Sequence, residues 1–183
     1  MIDSRRTYYQ YLRSDFIARY GKTKVPLSIL FKTRKLFLWN IYLRRAELHI
    51  NSDHKLRALV YKNLLLSLGC KLGWSVEPNC FGPGLCIVHY GTVVVSPYAR
   101  IGSNARVHVD VVVGASGGKH VAPYIGDNVY FGPGCKIYGK VLLGDNVVIG
   151  ANSVVNKSFE ENNILLVGVP AEIKHRNIET RNV

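Results

Sequence analysis

From Val95 to Val155 an apolar residue occupies every sixth position, interrupted once at Lys119. The series is Val95, Ile101, Val107, Val113, Lys119, Ile125, Phe131, Ile137, Leu143, Ile149 and Val155. Glycine often follows, as Gly102, Gly114, Gly126, Gly132, Gly144 and Gly150. Four places after the apolar residue comes a small or β-branched one: Ala99, Ala105, Val111, Val129, Cys135, Val141, Val147 and Ser153. A period of six matches neither a helix nor a simple strand alternation. It fits a solenoid in which each hexad forms one flat face and three hexads close a triangular turn. The repeated aliphatic then points inward and covers its equivalent in the next coil. The small residue suits a tight corner, and glycine tolerates backbone that a Cβ forbids.

Outside this stretch the pattern changes. Residues 1–20 are rich in tyrosine and arginine, and Gly21 to Pro26 reads as a break. Residues 27–48 mix apolar positions such as Leu36, Trp39 and Leu43 with Lys32, Arg34, Lys35, Arg44 and Arg45, and helical spacing fits them best. Residues 53–68 predict a clearer helix, capped by Asp53, carrying Leu56, Leu59, Val60 and Leu64, and ended by Gly69. Turn signals at Glu77-Pro78-Asn79 and Gly82-Pro83-Gly84 lead into the repeat. The segment Ala115 to Pro123 reads as a loop projecting from a rigid coil, a place where a site is expected. After Val155 the repeat ends, and a helix or irregular tail beginning near Ala171 would bear Lys174, His175 and Arg176. The expected division is a basic α-helical region over residues 1–72, the β-solenoid over 73–160 with its loop at 115–123, and a tail over 161–183.

Composition narrows the class. A chain of 183 residues, 48% hydrophobic, makes one domain or a domain with an extension. No apolar run approaches a membrane span and the N-terminus has no signal-peptide core, so the expected location is the cytoplasm, with a peripheral place at the inner face of the membrane as the alternative. Cys70, Cys80, Cys86 and Cys135 form no CxxC pair, so neither a disulfide framework nor a zinc knuckle is expected, and Cys135 reads as a buried free thiol. Charge is unevenly placed: residues 1–72 hold 15 Lys+Arg against 4 Asp+Glu, and residues 73–183 hold 9 against 8. The basic region reads as a helical cap with a solvated face, or as a surface meeting anionic lipid or a lipid-diphosphate-linked sugar. Nucleic-acid binding is not expected, for want of a recognised module. The region contains none of the candidate chemistry, so it is not expected to be the catalytic unit, and its charge is separable from the near-neutral solenoid.

The hexads resemble those of the hexapeptide-repeat acyltransferases, over roughly residues 77 to 176. The resemblance implies a mainly β fold, a left-handed parallel β-helix, here with an N-terminal α-helical extension. It also implies a homotrimer, acetyl-CoA as co-substrate and no metal.

Of six histidines, His49, His54, His108 and His175 read as surface, packing or tail residues. Counting back by sixes from Val95, His89 falls where an aliphatic belongs. It is then either a hydrogen-bonded core residue or one turned outward by a departure from ideal coils. The segment Gly82-Pro83-Gly84-Leu85-Cys86-Ile87-Val88-His89-Tyr90-Gly91-Thr92-Val93-Val94 resembles the catalytic-histidine segment of serine acetyltransferases and related sugar O-acetyltransferases. That likeness implies His89 as general base, with Tyr90 beside it. Gly117-Gly118-Lys119-His120 resembles the glycine-rich loop through which these enzymes hold the acceptor, implying His120 and Lys119 as acceptor-site residues. The family's partner carboxylate, about fifteen residues before the catalytic histidine, is replaced by Trp74 or Ser75; Glu77 is the nearest acid and a candidate to orient the imidazole. Gly114, Ala115, Gly132, Gly134, Gly150 and Ala151 match the family's donor groove between subunits, with Lys174 and Arg176 as candidates for the CoA phosphates.

Histidine, with an ordinary pKa of roughly 6.5, suits removal of a hydroxyl proton near neutral pH. The short basic N-terminal part and the ending Arg181-Asn182-Val183 favour a sugar or polysaccharide precursor as acceptor, with serine as the alternative. Two other classes are open: a γ-carbonic-anhydrase-like metalloenzyme, which needs three histidines on one metal, and a non-catalytic β-helix protein.

Overall fold

The computed structural model describes residues 1–22, 24, 27–117 and 120–178, the side chains of 27 and 29–32 excepted. It opens with three helices, α1 (Arg5–Tyr20), α2 (Leu27–Asn51) and α3 (Lys55–Leu72). Helix α1 starts in a capping box: the Ser4 hydroxyl accepts from the Thr7 amide at 3.2 Å, and the Thr7 hydroxyl accepts from the Ser4 amide at 3.1 Å. Helix α3 departs from its expected limits at both ends. Asp53 adopts a left-handed conformation and does not cap it; His54 holds the cap position without a side-chain hydrogen bond. Gly69 does not end it either. A Cβ there would lie 2.6 Å from the Trp74 carbonyl and 3.4 Å from Trp39 Nε1, so this glycine serves close approach, and the stop comes at Gly73 with φ +82°. No helix among the described residues is long and apolar enough to cross a membrane.

The chain then winds through three sheets. The first holds β1 (Trp74–Val76), β3 (Val93–Val95), β6 (Val111–Gly114), β9 (Lys136–Tyr138) and β12 (Val154–Val155). The second holds β4 (Arg100–Ile101), β7 (Tyr124–Ile125) and β10 (Leu142–Leu143). The third holds β2 (Cys86–Ile87), β5 (Arg106–Val107), β8 (Tyr130–Phe131), β11 (Val148–Ile149), β13 (Ile164–Gly168) and β14 (Ala171–Arg176). Every pairing is parallel except β13 with β14. Each coil visits the sheets in turn, so the molecule is mainly β, a three-sided stack with a helical N-terminal region. The sixfold series lies inside: Val95, Val113, Ile137 and Val155 face in from the first sheet, Ile101, Ile125 and Leu143 from the second, Val107, Phe131 and Ile149 from the third. Each such burial stabilises by about 1.5–3 kcal/mol.

Register explains the irregularities. Val95 pairs with Val113 and Ile137 with Val155, both 18 apart, whereas Ile101 pairs with Ile125 across 24. The six additional residues form the loop, and the hexad phase survives it. Lys119, the break in the series, lies outside the described residues. Asparagines also turn the corners. Asn104, Asn128, Asn146 and Asn163 all have φ of 56–58°, and each of the first three donates its side-chain amide to the next at 2.9–3.0 Å, a ladder along the edge between second and third sheets.

The coil does not stop at Val155. Phe159 bridges to Leu143, and Leu165 and Leu166 pair with Val148 and Ile149, so a fifth turn forms. Its inward residues stand 16 and 17 after their equivalents rather than 18, which hides them from a strict count. The segment beginning at Ala171 is a strand, not a helix or an irregular tail, because it pairs antiparallel with β13 and ends the third sheet.

The basic region packs against the solenoid. A fully buried cluster ties α1 and α2 to the first coil. Asp15 accepts from the Gly84 and Leu85 amides at 2.9 Å each and from Arg44 Nε at 2.8 Å. Arg44 donates in addition to Glu47 and to the carbonyls of Phe81 and Gly82.

Candidate active site

The stack has three edges, and the chemistry-bearing residues divide between two of them. The edge between the third and first sheets carries His89, Tyr90, His108, Gly132, Gly134, Gly150 and Ala151. The edge between the first and second sheets carries Glu77, Tyr98, Gly114, Ala115 and His120. The first sheet separates them.

His89 does not occupy an aliphatic position. Ile87 pairs with Val107 and Val95 with Val113, so eight positions stand between inward residues in the first coil where the next has six. The two additional residues swell the corner, and His89 is exposed on it. Of the two placements open from the sequence, the outward one holds. Gly91 completes the corner at φ +129° and its amide donates to the Leu72 carbonyl at 2.8 Å. Tyr90 projects beside the imidazole, largely exposed.

His108 lies one coil along, its ring 6.2 Å from that of His89 and 4.9 Å from Tyr130. Its Nε2 is buried with no hydrogen-bond partner among the described residues. Burial, then the charges of Arg106 and His89, hold its pKa below the ordinary value. The sequence reading leaves His108 out as an outward structural residue. The signal is its register: Val88, His108, Gly132 and Gly150 follow the paired residues Ile87, Val107, Phe131 and Ile149.

Glu77 follows β1 beyond the Val76–Val95 pair, whereas His89 precedes β3, so the width of that strand lies between them. The Glu77 carboxylate faces Lys62 Nζ at 3.9 Å instead. His120 is exposed in the loop, its ring 4.3 Å from that of Tyr98, a neighbour the sequence did not single out. The Ser116 amide donates to the Val121 carbonyl at 3.1 Å and closes the loop base.

Gly132 has no room for a side chain: a Cβ would stand 2.5 Å from the Ile149 carbonyl oxygen and 2.9 Å from the Ala151 amide. Gly134 turns the same edge at φ +76° against the Asn152 side chain. With exposed Pro133 and Ala151 they leave a ledge of low relief below His89. Gly114 and Ala115 lie at the other edge, where β6 runs into the loop. Lys174 is the additional residue of the bulge between the Leu165–His175 and Leu166–Ile173 pairs, and it is exposed. Arg176 is held by Glu161 at 2.8 Å, so its guanidinium already has a carboxylate. Among the described residues no cluster of His, Cys, Asp and Glu is arranged to hold a metal ion.

Residues 122–157 match the family described as bacterial transferase hexapeptide (six repeats). The serine acetyltransferase of Staphylococcus xylosus is 38% identical over 105 residues, covering 55% of this chain and 48% of that protein. That of Mycobacterium tuberculosis is 33% identical over 104 residues, covering 55% and 45%. The chain thus spans about half the length of the curated relatives it matches. Among solved structures, the serine acetyltransferase of Neisseria gonorrhoeae matches with a TM-score of 0.78 at 26% identity, over 98% of this chain and 70% of that one. The same enzyme in complex with serine matches with a TM-score of 0.69 over 91% of this chain and 69% of that one. Over residues 122–157 the chain is similar to the hexapeptide transferases, and over about half its length it resembles the serine acetyltransferases.

Proposed function

We propose that the protein is an acetyl-CoA-dependent O-acetyltransferase in which His89 is the general base, working in a trimer of left-handed coils. The observation that carries this reading is the division of the candidate residues between two edges. His89 and the glycine ledge lie on one, His120 and Gly114-Ala115 on the other, with the first sheet between. A threefold ring sets the first edge of one copy beside the second edge of the next and brings both sets to one groove.

The chemistry then follows from the groups present. The exposed imidazole of His89 takes the proton of an acceptor hydroxyl, whose oxygen attacks the thioester carbonyl carbon of acetyl-CoA. Of the ledge amides, those of Gly132, Gly134 and Gly150 already donate within the coil, which leaves the Ala151 amide as the candidate to stabilise the tetrahedral oxyanion. The carbon–sulfur bond breaks, the thiolate leaves, and it recovers the proton from His89. The Gly132–Gly134 and Gly150–Ala151 ledge admits the donor arm close to backbone, with Lys174 as a free cation near its phosphates. His120 and Tyr98 bind the acceptor from the neighbouring edge, together with Lys119 on the resemblance alone.

For the acceptor, the names of the relatives favour serine over the sugar or polysaccharide precursor expected from composition. The placement of Glu77 bears on the same choice. With Ser75 or Trp74 where the resemblance puts an acid, and Glu77 on another edge, His89 works without a carboxylate partner from its own coil.

The test is thiol release from acetyl-CoA with serine, nucleotide sugars and oligosaccharides as acceptors, on protein sized by sedimentation. Serine turnover by a trimer is the expected result. His89→Ala lowers turnover by about 10²–10⁴-fold, the usual share of general-base catalysis, with donor binding little changed. His120→Ala instead raises the KM for acceptor, with a smaller fall in kcat. A folded His89→Ala trimer with near-normal turnover would falsify the assignment, and an active monomer would remove the two-edge site.

A further inference from the structure

A groove of about 540 Å³ runs between α1 and α3 over α2, within the helical region and outside the chemistry proposed above. Each helix contributes a guanidinium to it: Arg5 from α1, Arg45 from α2 and Arg57 from α3, joined by His49. No carboxylate lines it. Arg45 is steered by hydroxyls, donating to Tyr61 Oη at 2.6 Å and Tyr8 Oη at 3.4 Å, so its direction is fixed while its charge stays unneutralised. None of the three arginines forms an ion pair among the described residues. This contrasts with Arg44, one position before Arg45, which is enclosed by two carboxylates.

Two further observations point the same way. Helix α3 begins at the groove, with Leu56 and Arg57 of its first turn in the wall, and that turn has neither a side-chain cap nor an acid. Its positive dipole end lies beside three cations, and Asp53, the acid just before the cap, is not part of the groove lining. His49, stacked on Tyr61 and 3.4 Å from His54 between Nδ1 atoms, has its pKa lowered by burial first and then by His54, Arg57 and Arg45. The fold gathers positive charge here and places no carboxylate in the groove lining. Leu48, Leu56 and Val60 add an apolar wall to the same groove.

We infer that this groove is a binding site for a phosphate ester, its phosphate or diphosphate group held by Arg5, Arg45 and Arg57 and its carbon skeleton resting on Leu48, Leu56 and Val60. Guanidinium forks match phosphate oxygens, and three of them converging from three helices define a direction that a diffuse basic surface lacks.

Inorganic pyrophosphate, titrated into the full chain by calorimetry at low ionic strength, tests the inference. One site per chain is expected. Arg5→Gln and Arg57→Gln should each weaken binding about tenfold or more, the loss expected for a charge-assisted hydrogen bond. Both side chains are exposed and make no hydrogen bond among the described residues, so the fold should tolerate the changes. Lys71→Gln, an equal change of charge at the far end of α3, should alter affinity less than about twofold, since that separation exceeds the screening length of roughly 10 Å at moderate salt. Vesicles of phosphatidylcholine with phosphatidylglycerol identify the source of the phosphate. Binding that pyrophosphate displaces assigns a lipid headgroup, and no vesicle binding beside good pyrophosphate binding assigns a free phosphate ester. The inference is overturned by absence of saturable pyrophosphate binding, by equal losses in Lys71→Gln and Arg57→Gln, or by vesicle binding that pyrophosphate does not displace. None of these outcomes depends on acetyl transfer.

Discussion

Replacing Arg44 by methionine should cost the protein about 4 kcal/mol of stability, since breaking a buried ion pair from one side costs roughly 3–5 kcal/mol. All five N–H groups of Arg44 are used. Nε and Nη2 donate to Asp15 at 2.8 and 3.1 Å, Nη1 to Glu47 at 2.9 Å and the Phe81 carbonyl at 3.0 Å, and Nη2 to the Gly82 carbonyl at 2.7 Å. Burial works against its charge, but Glu47 and Asp15 outweigh it and raise its pKa, so the group stays protonated. Methionine fills the space and leaves two buried carboxylates facing each other without a cation. The loss is bounded because Asp15 keeps Asn40 and the Gly84 and Leu85 amides, and Glu47 keeps the Asn79 amide at 2.9 Å. Urea unfolding followed by far-ultraviolet circular dichroism, at equal protomer concentration, measures the change. Adding Asp15→Asn and Glu47→Gln to Arg44→Met should recover at least half of the loss, because the orphaned charge is then gone. A loss below about 1 kcal/mol for Arg44→Met, the level of a surface ion pair, would refute the reasoning.

Two further outcomes follow from the cysteines and from His108. Burial pushes the Cys80 thiol to about 11 and Cys135 to about 12, while Cys70 is exposed. Iodoacetamide at pH 8 should therefore add one fast label, on Cys70, and rapid labelling of Cys135 in the folded protein would contradict its burial. The lowered pKa of His108 means that below pH of roughly 6.5 the unfolded chain binds a proton that the folded chain does not, so unfolding free energy falls with pH there. Substituting His108→Gln should flatten that slope below pH of roughly 6.5, and an unchanged slope would show that His108 is not held neutral.

The interior of the coil was legible because it obeys one constraint. A side chain that must cover its equivalent 18 residues away repeats in kind, and the pairs Val95–Val113 and Ile137–Val155 do so visibly. Legibility failed where the turn changed length. The fifth coil contracts to 16 and 17, so Phe159 and Leu166 were missed. The first coil is longer than 18, so His89 was counted into a position that Ile87 fills. Gly69 carried the right residue type for the wrong reason, since close approach to Trp39 and Trp74 leaves the same mark in a sequence as a helix stop. Contacts between distant segments left no local sign at all. Nothing in the spacing of Asp15, Arg44 and Glu47 announces a shared cluster, and nothing near His108 announces His89. The separation of Glu77 from His89 likewise needed the register, because twelve positions along a coil can mean one edge or two.

The two expansions of the regular turn are also the two places where candidate chemistry sits, and their heights along the stack agree. His89 stands at the corner between the first and second coils, and the loop leaves the third. Paired strands are about 4.8 Å apart, so the two differ by roughly 5–10 Å along the axis. Six additional residues extend to about 20 Å, so a loop tied at both ends reaches about 10 Å, enough to cover that difference in the proposed trimer. Glycines and alanine below His89 keep the intervening ledge low, and Gly132 cannot be enlarged without displacing the coil beneath it. A scaffold alone would have no reason to widen one edge by two residues and another by six at neighbouring heights. The proposed transferase uses both: a base held at a rigid corner, and a polar arm from the next copy that closes on the acceptor.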